Sequence, residues 1–242
     1  MLEVSGLSKS FGGVSAVGGV GFTVAEGELI GVMGPNGSGK TTLFNLITGA
    51  LSPDAGSIRL RGQDITGWAP HRVCAAGIAR TFQLVRPFAG LTALENVLVG
   101  RLYGRGGGRG AAAEAERLLA LVGLETRARL PAAQLTLIDR KRLELARALA
   151  TAPQLLLLDE FMAGLNPAET AAAMTLIRRL QAEGLTVLMV EHIVWALMDL
   201  SRRIVVLSAG EKIAEGPPEA VAADPAVVAA YLGTDRGSSM RA

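Results

Sequence analysis

The chain opens with short apolar runs punctuated by glycines and polar residues. Residues 2–4, 20–24 and Leu29–Met33 read as strands. Residues 57–61 alternate polar and apolar and run into Gly62-Gln63-Asp64, the pattern of a strand and its turn. The middle of the chain changes period. Residues 111–122 and 140–150 are rich in helix formers with apolar side chains at helical spacing. The last part alternates: strand 155–158, helix 168–182, strand Thr186–Val190, helix Val194–Leu200, strand 204–207. Strands alternating with helices predict βαβ units and a parallel sheet, hence an α/β fold. Gly104 to Gly110 is the one low-complexity stretch and reads as a surface loop, and residues 234–242 read as a flexible tail.

Composition narrows the function classes. The 242 residues are 50% hydrophobic, enough for a sizeable core in one large domain or two small ones. Lys plus Arg is 24 against 22 for Asp plus Glu, a net charge of +2, with no long run of like charge. That is no nucleic-acid signature, and 4% aromatics offer no stacking platform for single strands. Cys74 is the one cysteine, which excludes an internal disulfide framework and a multi-cysteine zinc site. Mean hydropathy is +0.36, yet the apolar runs are far shorter than the ~20 residues of a spanning helix. Residues 155–158 are bounded by Gln154 and Asp159, and residues 185–190 by Gly184 and Glu191. Glu3 and Lys9 interrupt the N-terminus, so no signal peptide is expected. The chain reads as a soluble cytoplasmic protein.

Two segments carry the chemistry. Gly34-Pro35-Asn36-Gly37-Ser38-Gly39-Lys40-Thr41 fits the GxxxxGK[ST] pattern, follows the apolar run Leu29–Met33 and precedes a helix-like run from Thr42 to Thr48. Glycines let successive N–H groups turn toward phosphate oxygens, and the helix start adds partial positive charge. Lys40 can reach the β- and γ-phosphates of a nucleotide, and the Thr41 hydroxyl can ligate Mg²⁺. The second segment, Gln154 to Glu160, holds four leucines and then two acids. A run this apolar predicts a strand buried on both faces, with Asp159 emerging where ligands of α/β sheets bind. Asp159 is placed to hold Mg²⁺ through water, and Glu160 to polarise an attacking water as general base.

With these elements in view, the chain from residue 2 to residue 233 resembles the nucleotide-binding ATPase subunit of an ABC transporter. The resemblance implies a P-loop NTPase fold with a RecA-like parallel sheet, an N-terminal antiparallel β subdomain and an inserted helical subdomain. It divides the chain into a core of residues 1–83 and 151–233, helices in 84–150 and the tail 234–242. It implies ATP and Mg²⁺ as cofactors. The phosphate loop from Gly34 to Thr42 would bind the nucleotide, and Phe11 lies where the family stacks an aromatic on adenine. Gln83, in Arg80-Thr81-Phe82-Gln83, matches the glutamine that touches Mg²⁺ and the attacking water. His192, in Val190-Glu191-His192, matches the switch histidine that contacts the γ-phosphate. Ala163-Gly164-Leu165-Asn166-Pro167 matches the loop that crosses to a second subunit. That loop, Gly77 to Gln83, and the ending Ile213-Ala214-Glu215-Gly216 through Tyr231-Leu232-Gly233 look like the branched-chain amino acid importers. The resemblance then implies a second, different ATPase subunit in a head-to-tail dimer, two membrane permeases, an external solute-binding protein, and a place at the inner face of the membrane. Relatives of this type also move amides, urea and organic acids, so the substrate stays open. The apolar residues Val85, Phe88, Leu91 and Leu94 stand either in the groove for a permease helix or in the helical core.

Rival readings are a non-transport ABC ATPase, a regulatory subunit that binds ATP without hydrolysing it, and an unrelated P-loop kinase or GTPase. The first usually carries tandem cassettes or a coiled-coil insertion, and the third leaves Gln83 and His192 unexplained. The second draws on one departure from the family. The signature Leu-Ser-Gly-Gly-Gln, which opens a helix and clamps the partner's γ-phosphate, is here Leu135-Thr136-Leu137-Ile138-Asp139. Thr136 can replace the serine, but Leu137 and Ile138 stand where glycines allow close backbone approach. Asp139 favours the helix dipole and would repel phosphate if it faced one. The expectation is an asymmetric dimer whose principal hydrolytic site uses Lys40, Asp159, Glu160 and His192 of this chain. The alternative is that Thr136 and backbone N–H groups make this variant signature fully active.

Overall fold

A computed structural model describes residues 1–83, 85–105, 108 and 110–232. Two sheets form the frame. The first is antiparallel, in the order β2-β1-β4-β5, from β1 (Leu2–Phe11), β2 (Val14–Val24), β4 (Ala55–Leu60) and β5 (Gln63–Asp64). The second has the order β10-β9-β3-β8-β7-β6 and comprises β3 (Leu29–Met33), β6 (Ile78–Arg80), β7 (Leu155–Asp159), β8 (Thr186–Val190), β9 (Arg203–Ser208) and β10 (Glu211–Gly216). All its neighbours pair in parallel except β10, which returns antiparallel on β9. The helices are α1 (Lys40–Ile47), α2 (Pro70–Ala76), α3 (Ala93–Tyr103), α4 (Ala111–Leu121), α5 (Leu137–Ala150), α6 (Pro167–Ala182), α7 (Val194–Leu200), α8 (Pro218–Ala223) and α9 (Pro225–Leu232).

The expected parallel α/β core is present, and its strands are apolar because both faces are covered. Leu155 and Leu157 point into one core with α1 and the antiparallel sheet, through Phe44, Leu43, Val4 and Val20. Leu156 and Leu158 point into the other, with α3, α4, α5 and α6, through Val97, Leu119, Leu145 and Ile177. The parallel sheet is therefore a partition between two hydrophobic cores, and its C-terminal edge gathers the polar residues.

Element limits shift where a cap was not visible in the apolar pattern. The helix expected from residue 140 starts at Leu137, because Thr136 caps it by accepting from the Asp139 N–H. The short elements α2 and β6 carry too few residues to show a period, although Pro70 opens α2 and Gly77 closes it with a left-handed φ of 111°. Cys74 is half-buried. The tail 234–242 lies outside the described residues, as do 106, 107 and 109 of the glycine-rich stretch.

Of two glycines in the phosphate loop, Gly34 is fixed by space as well as by φ and Gly37 by φ alone. A Cβ on Gly34 (φ 150°) would lie 2.1 Å from the Leu207 carbonyl oxygen, whereas one on Gly37 (φ 78°) would meet nothing within 4 Å. Gly37→Ala should therefore cost only the backbone strain, about 1–2 kcal/mol. Gly34→Ala should cost clearly more, above ~2 kcal/mol. Urea denaturation of the two variants checks the order, and equal losses would contradict it.

Candidate functional site

The phosphate loop joins β3 to α1. Gly39 opens α1 in a left-handed conformation with no side-chain cap, which leaves the first-turn N–H groups for a ligand. A Cβ on Gly39 would lie 2.3 Å from the Ala16 carbonyl oxygen, so β2 presses directly on the loop. Lys40 is buried and folds over the loop, donating to the carbonyls of Gly34 (2.7 Å) and Pro35 (2.9 Å) and to Ser38 Oγ (3.4 Å). Burial lowers its pKa, and the Glu160 and Asp159 carboxylates oppose that shift. Tyr231 of α9 is hydrogen-bonded to the Gly34 backbone, which ties the end of the described chain to the loop.

The acids sit across from this loop. Glu160 follows β7 with φ 51°, a left-handed conformation that a non-glycine residue rarely adopts. Its N–H donates to the Val190 carbonyl of the neighbouring strand at 2.9 Å. Its carboxylate is held at both oxygens, by His192 Nε2 at 2.7 Å and by Gln83 Nε2 at 2.5 Å. Gln83, Glu160 and His192, far apart in sequence, are thus brought together. Asp159 is buried and takes a bond from Arg80 Nη2 at 2.5 Å. Arg80 also donates to Asn45 of α1 at 2.7 Å and lies against the rings of Phe44 and Phe82.

Thr41, Arg80, Phe82, Gln83 and Asp159 line one cavity of about 720 Å³, together with Cys74 and Glu144. Thr41, Gln83 and Asp159 offer it hydroxyl, amide and carboxylate oxygens, the donor set that suits a hard cation such as Mg²⁺. Among the described residues no group of three or more His, Cys, Asp or Glu could hold a metal ion. A cation here would have to share its ligands with a nucleotide's phosphates, as Mg²⁺ commonly does. Phe11 is 47% exposed, so it is no core residue, and it stands at the turn of the hairpin whose Ala16 touches Gly39. Phe88 is exposed beneath the Arg147 guanidinium (4.7 Å), Val85 and Leu91 are half-buried, and Leu94 packs on the helical core.

At the start of α5 the Asp139 carboxylate does not face outward. It is 1% exposed, bonded by the Thr136 hydroxyl at 2.6 Å and paired with Arg127. The outward residue is Leu137, 61% exposed. Sequence reasoning missed Arg127, Arg80 in its pairing role, Lys141, Glu144 and Glu191. Only the spacing of Arg80 ahead of Gln83 offered any signal.

A glycine-rich loop on a helix start, a strand-end acid pair and a histidine on one of its carboxylates define the class: a P-loop ATPase. Residues 17–163 match the family described as ABC transporter, and residues 211–236 match the branched-chain amino acid ATP-binding cassette transporter family. The chain belongs to the ABC transporter family, as one of its ATP-binding cassettes. It is 42% identical to the high-affinity branched-chain amino acid transport ATP-binding protein BraF of Pseudomonas aeruginosa, over 96% of this chain and 98% of that one. It is 39% identical to LivG of Escherichia coli, a protein of the same description, with the same coverage. Among solved structures, the ADP conformation of the cassette MJ1267 superposes with a TM-score of 0.87 at 32% identity, covering 96% of this chain and 98% of that one. The dimeric cassette MJ0796 superposes with a TM-score of 0.81 at 28% identity, covering 90% and 99%.

Two further carboxyls surround the acids. Burial pushes Glu144 up to about 7, against a backbone hydrogen bond with Phe82 and the charges of Arg147 and Lys141. Burial likewise pushes Glu191 up to about 7, against the Met162 N–H and the charge of Lys141. Both folded values lie above that of the unfolded chain, about 4.3. The folded protein therefore keeps protons that the unfolded chain releases, and the stability this confers is lost as pH rises through 7. Urea denaturation should show a loss of about 5 kcal/mol between pH 5 and pH 8, roughly half from each carboxyl. The double variant Glu144→Gln/Glu191→Gln should flatten that dependence. An unchanged slope would contradict the assignment.

Proposed function

We propose that this cassette hydrolyses ATP to drive uptake of a small solute, with branched-chain or other hydrophobic amino acids as the favoured substrates. The observation that carries the hydrolytic reading is the Glu160 carboxylate held by His192 and Gln83 at the end of β7. The substrate reading is supported by the names of the 42% and 39% identical relatives and by the family match at residues 211–236. Uptake of amides, urea or organic acids is the alternative the same kind of cassette would serve.

In this reading the N–H groups of the loop and the Lys40 ammonium bind the β- and γ-phosphates, and Phe11 takes the adenine. Thr41, Asp159 and the Gln83 carbonyl oxygen would hold Mg²⁺, which supplies charge neutralisation at the β- and γ-phosphate oxygens. Glu160 orients a water in line with the γ-phosphorus and accepts its proton as the bond to the β-phosphate oxygen breaks, leaving ADP and phosphate. His192 fixes the carboxylate and stands ready to meet the γ-phosphate. The helices in residues 84–150 would carry the closing motion to a permease through the surface around Phe88. Among the described residues no helix is long and apolar enough to cross a membrane, so attachment at the inner face would come through two permease subunits, served by an external binding protein.

The second ATPase subunit is proposed to be a different chain, docked head to tail. Leu137 projects where a partner's phosphate would approach the start of α5, and the Thr136 hydroxyl is already engaged with Asp139. Both features weaken the partner's site and leave this chain's own site to do most of the hydrolysis. The inward turn of Asp139 removes the charge repulsion, so the weakening is steric at Leu137 and a lost hydroxyl donor at Thr136. Steady-state ATPase assays of the chain alone and with its partner and permeases test this. Activity should be low alone and restored in the assembly, then lost by about 100-fold or more with Glu160→Gln. Undiminished hydrolysis by the Glu160→Gln assembly would place the working site on the partner.

A further inference from the structure

Lys141 is charged, buried and absent from the mechanism above. It lies in the first turns of α5 and is 6% exposed. Its ammonium makes no ion pair among the described residues. It donates instead to three main-chain carbonyls, of Ala163 (2.6 Å), Phe161 (3.0 Å) and Glu160 (3.4 Å). Burial lowers its pKa while the carboxylates of Glu191, Glu144 and Glu160 raise it. A buried charge is expensive, and an apolar side chain of similar length would fill the same space at no electrostatic cost. The charge therefore has a use beyond filling.

The three carbonyls belong to the turn that carries Glu160. That residue is held in a left-handed backbone conformation at φ 51°, which persists only where surrounding contacts over-determine it. Lys141 grips the turn from its carbonyl side. Glu191 grips it from its amide side, accepting from the Met162 N–H at 2.7 Å. The same lysine lies on the helix that Thr136 caps and whose outward residue is Leu137. One rigid helix thus runs from the surface expected to meet the partner's nucleotide to the backbone of this chain's own acid.

We infer that Lys141 is a positioning residue: its ammonium sets the backbone of residues 160–163, aims the Glu160 carboxylate, and couples the start of α5 to that carboxylate. The inference rests on the proposed role of Glu160. It makes the variant signature a sensor for its own chain's acid as well as a clamp on the neighbour's nucleotide.

The test compares native chain, Lys141→Met and Lys141→Arg in the assembled transporter, with Glu160→Gln as control. Lys141→Met should lower kcat by about 10- to 100-fold, the range a small misplacement of a reacting group produces. KM and the ATP dissociation constant should stay within about threefold, since Lys141 touches no part of the phosphate loop. Lys141→Arg, which keeps charge and donors, should restore most of kcat. On the Glu160→Gln background, Lys141→Met should add almost nothing, because the group it aims is gone. Hydrogen exchange on the isolated full chain should show faster exchange in residues 160–166 with β3 and β8 unchanged. If Lys141→Met does not fold, Lys141→Gln, which keeps N–H donors without charge, takes its place under the same expectations. Unchanged kcat with lowered thermal stability would overturn the inference, as would a rise in KM alone or multiplicative losses in the double variant. A Glu160→Gln assembly that still hydrolyses ATP would overturn the reading of Glu160 and this inference with it.

Discussion

The site depends on one turn, where β7 ends and the chain reverses with Glu160 in a left-handed conformation. That backbone costs about 1–2 kcal/mol for a residue with a side chain. It is retained because the Val190 carbonyl, the Lys141 ammonium and the Glu191 carboxylate bind its main chain, while His192 and Gln83 bind its carboxylate. They come from three places in the chain: β8 with the segment after it, α5, and the segment after β6. The parallel sheet makes this possible, because its strands end together on the edge where α1 begins.

The two buried faces of that sheet explain the rest of the architecture. Alternate leucines of β7 serve two separate cores, so the strand cannot slip by one residue without moving each leucine into the opposite core. The acids that follow it are therefore fixed in register. Asp159 is neutralised by Arg80, which is itself fastened to Asn45 on α1. The helix that follows the phosphate loop and the acid at the end of β7 are thus joined by one guanidinium, whose planar fork suits two acceptors at once.

What was legible in the sequence was local. Gly34 to Thr41 forms a continuous loop whose residue types state its conformation, and Leu155 to Glu160 forms a strand whose apolar run announces its own burial. Resemblance to a family added Gln83 and His192, and the structure brings both to Glu160. What the sequence did not disclose was long-range. Arg80 reaches Asp159 across 79 positions and Lys141 reaches the turn across about 20. Asp139 showed a charge at a helix start, and nothing in its neighbours showed that Arg127 and Thr136 would turn it inward. Glu144 and Glu191 looked like ordinary acids because burial is a property of the packed chain. The short α2 and β6 lacked the length to reveal a period.

In the proposed mechanism this chain carries its own complete phosphate site, in which binding and hydrolysis fall to different residues. Equilibrium titration of ATP and Mg²⁺ into the isolated chain, the Lys40→Ala variant and the Glu160→Gln variant tests it most directly. One nucleotide should bind per chain, with an affinity loss of at least about tenfold (1.4 kcal/mol) for Lys40→Ala and little change for Glu160→Gln. Equal affinities for native chain and Lys40→Ala, or an equal loss in both variants, would contradict it.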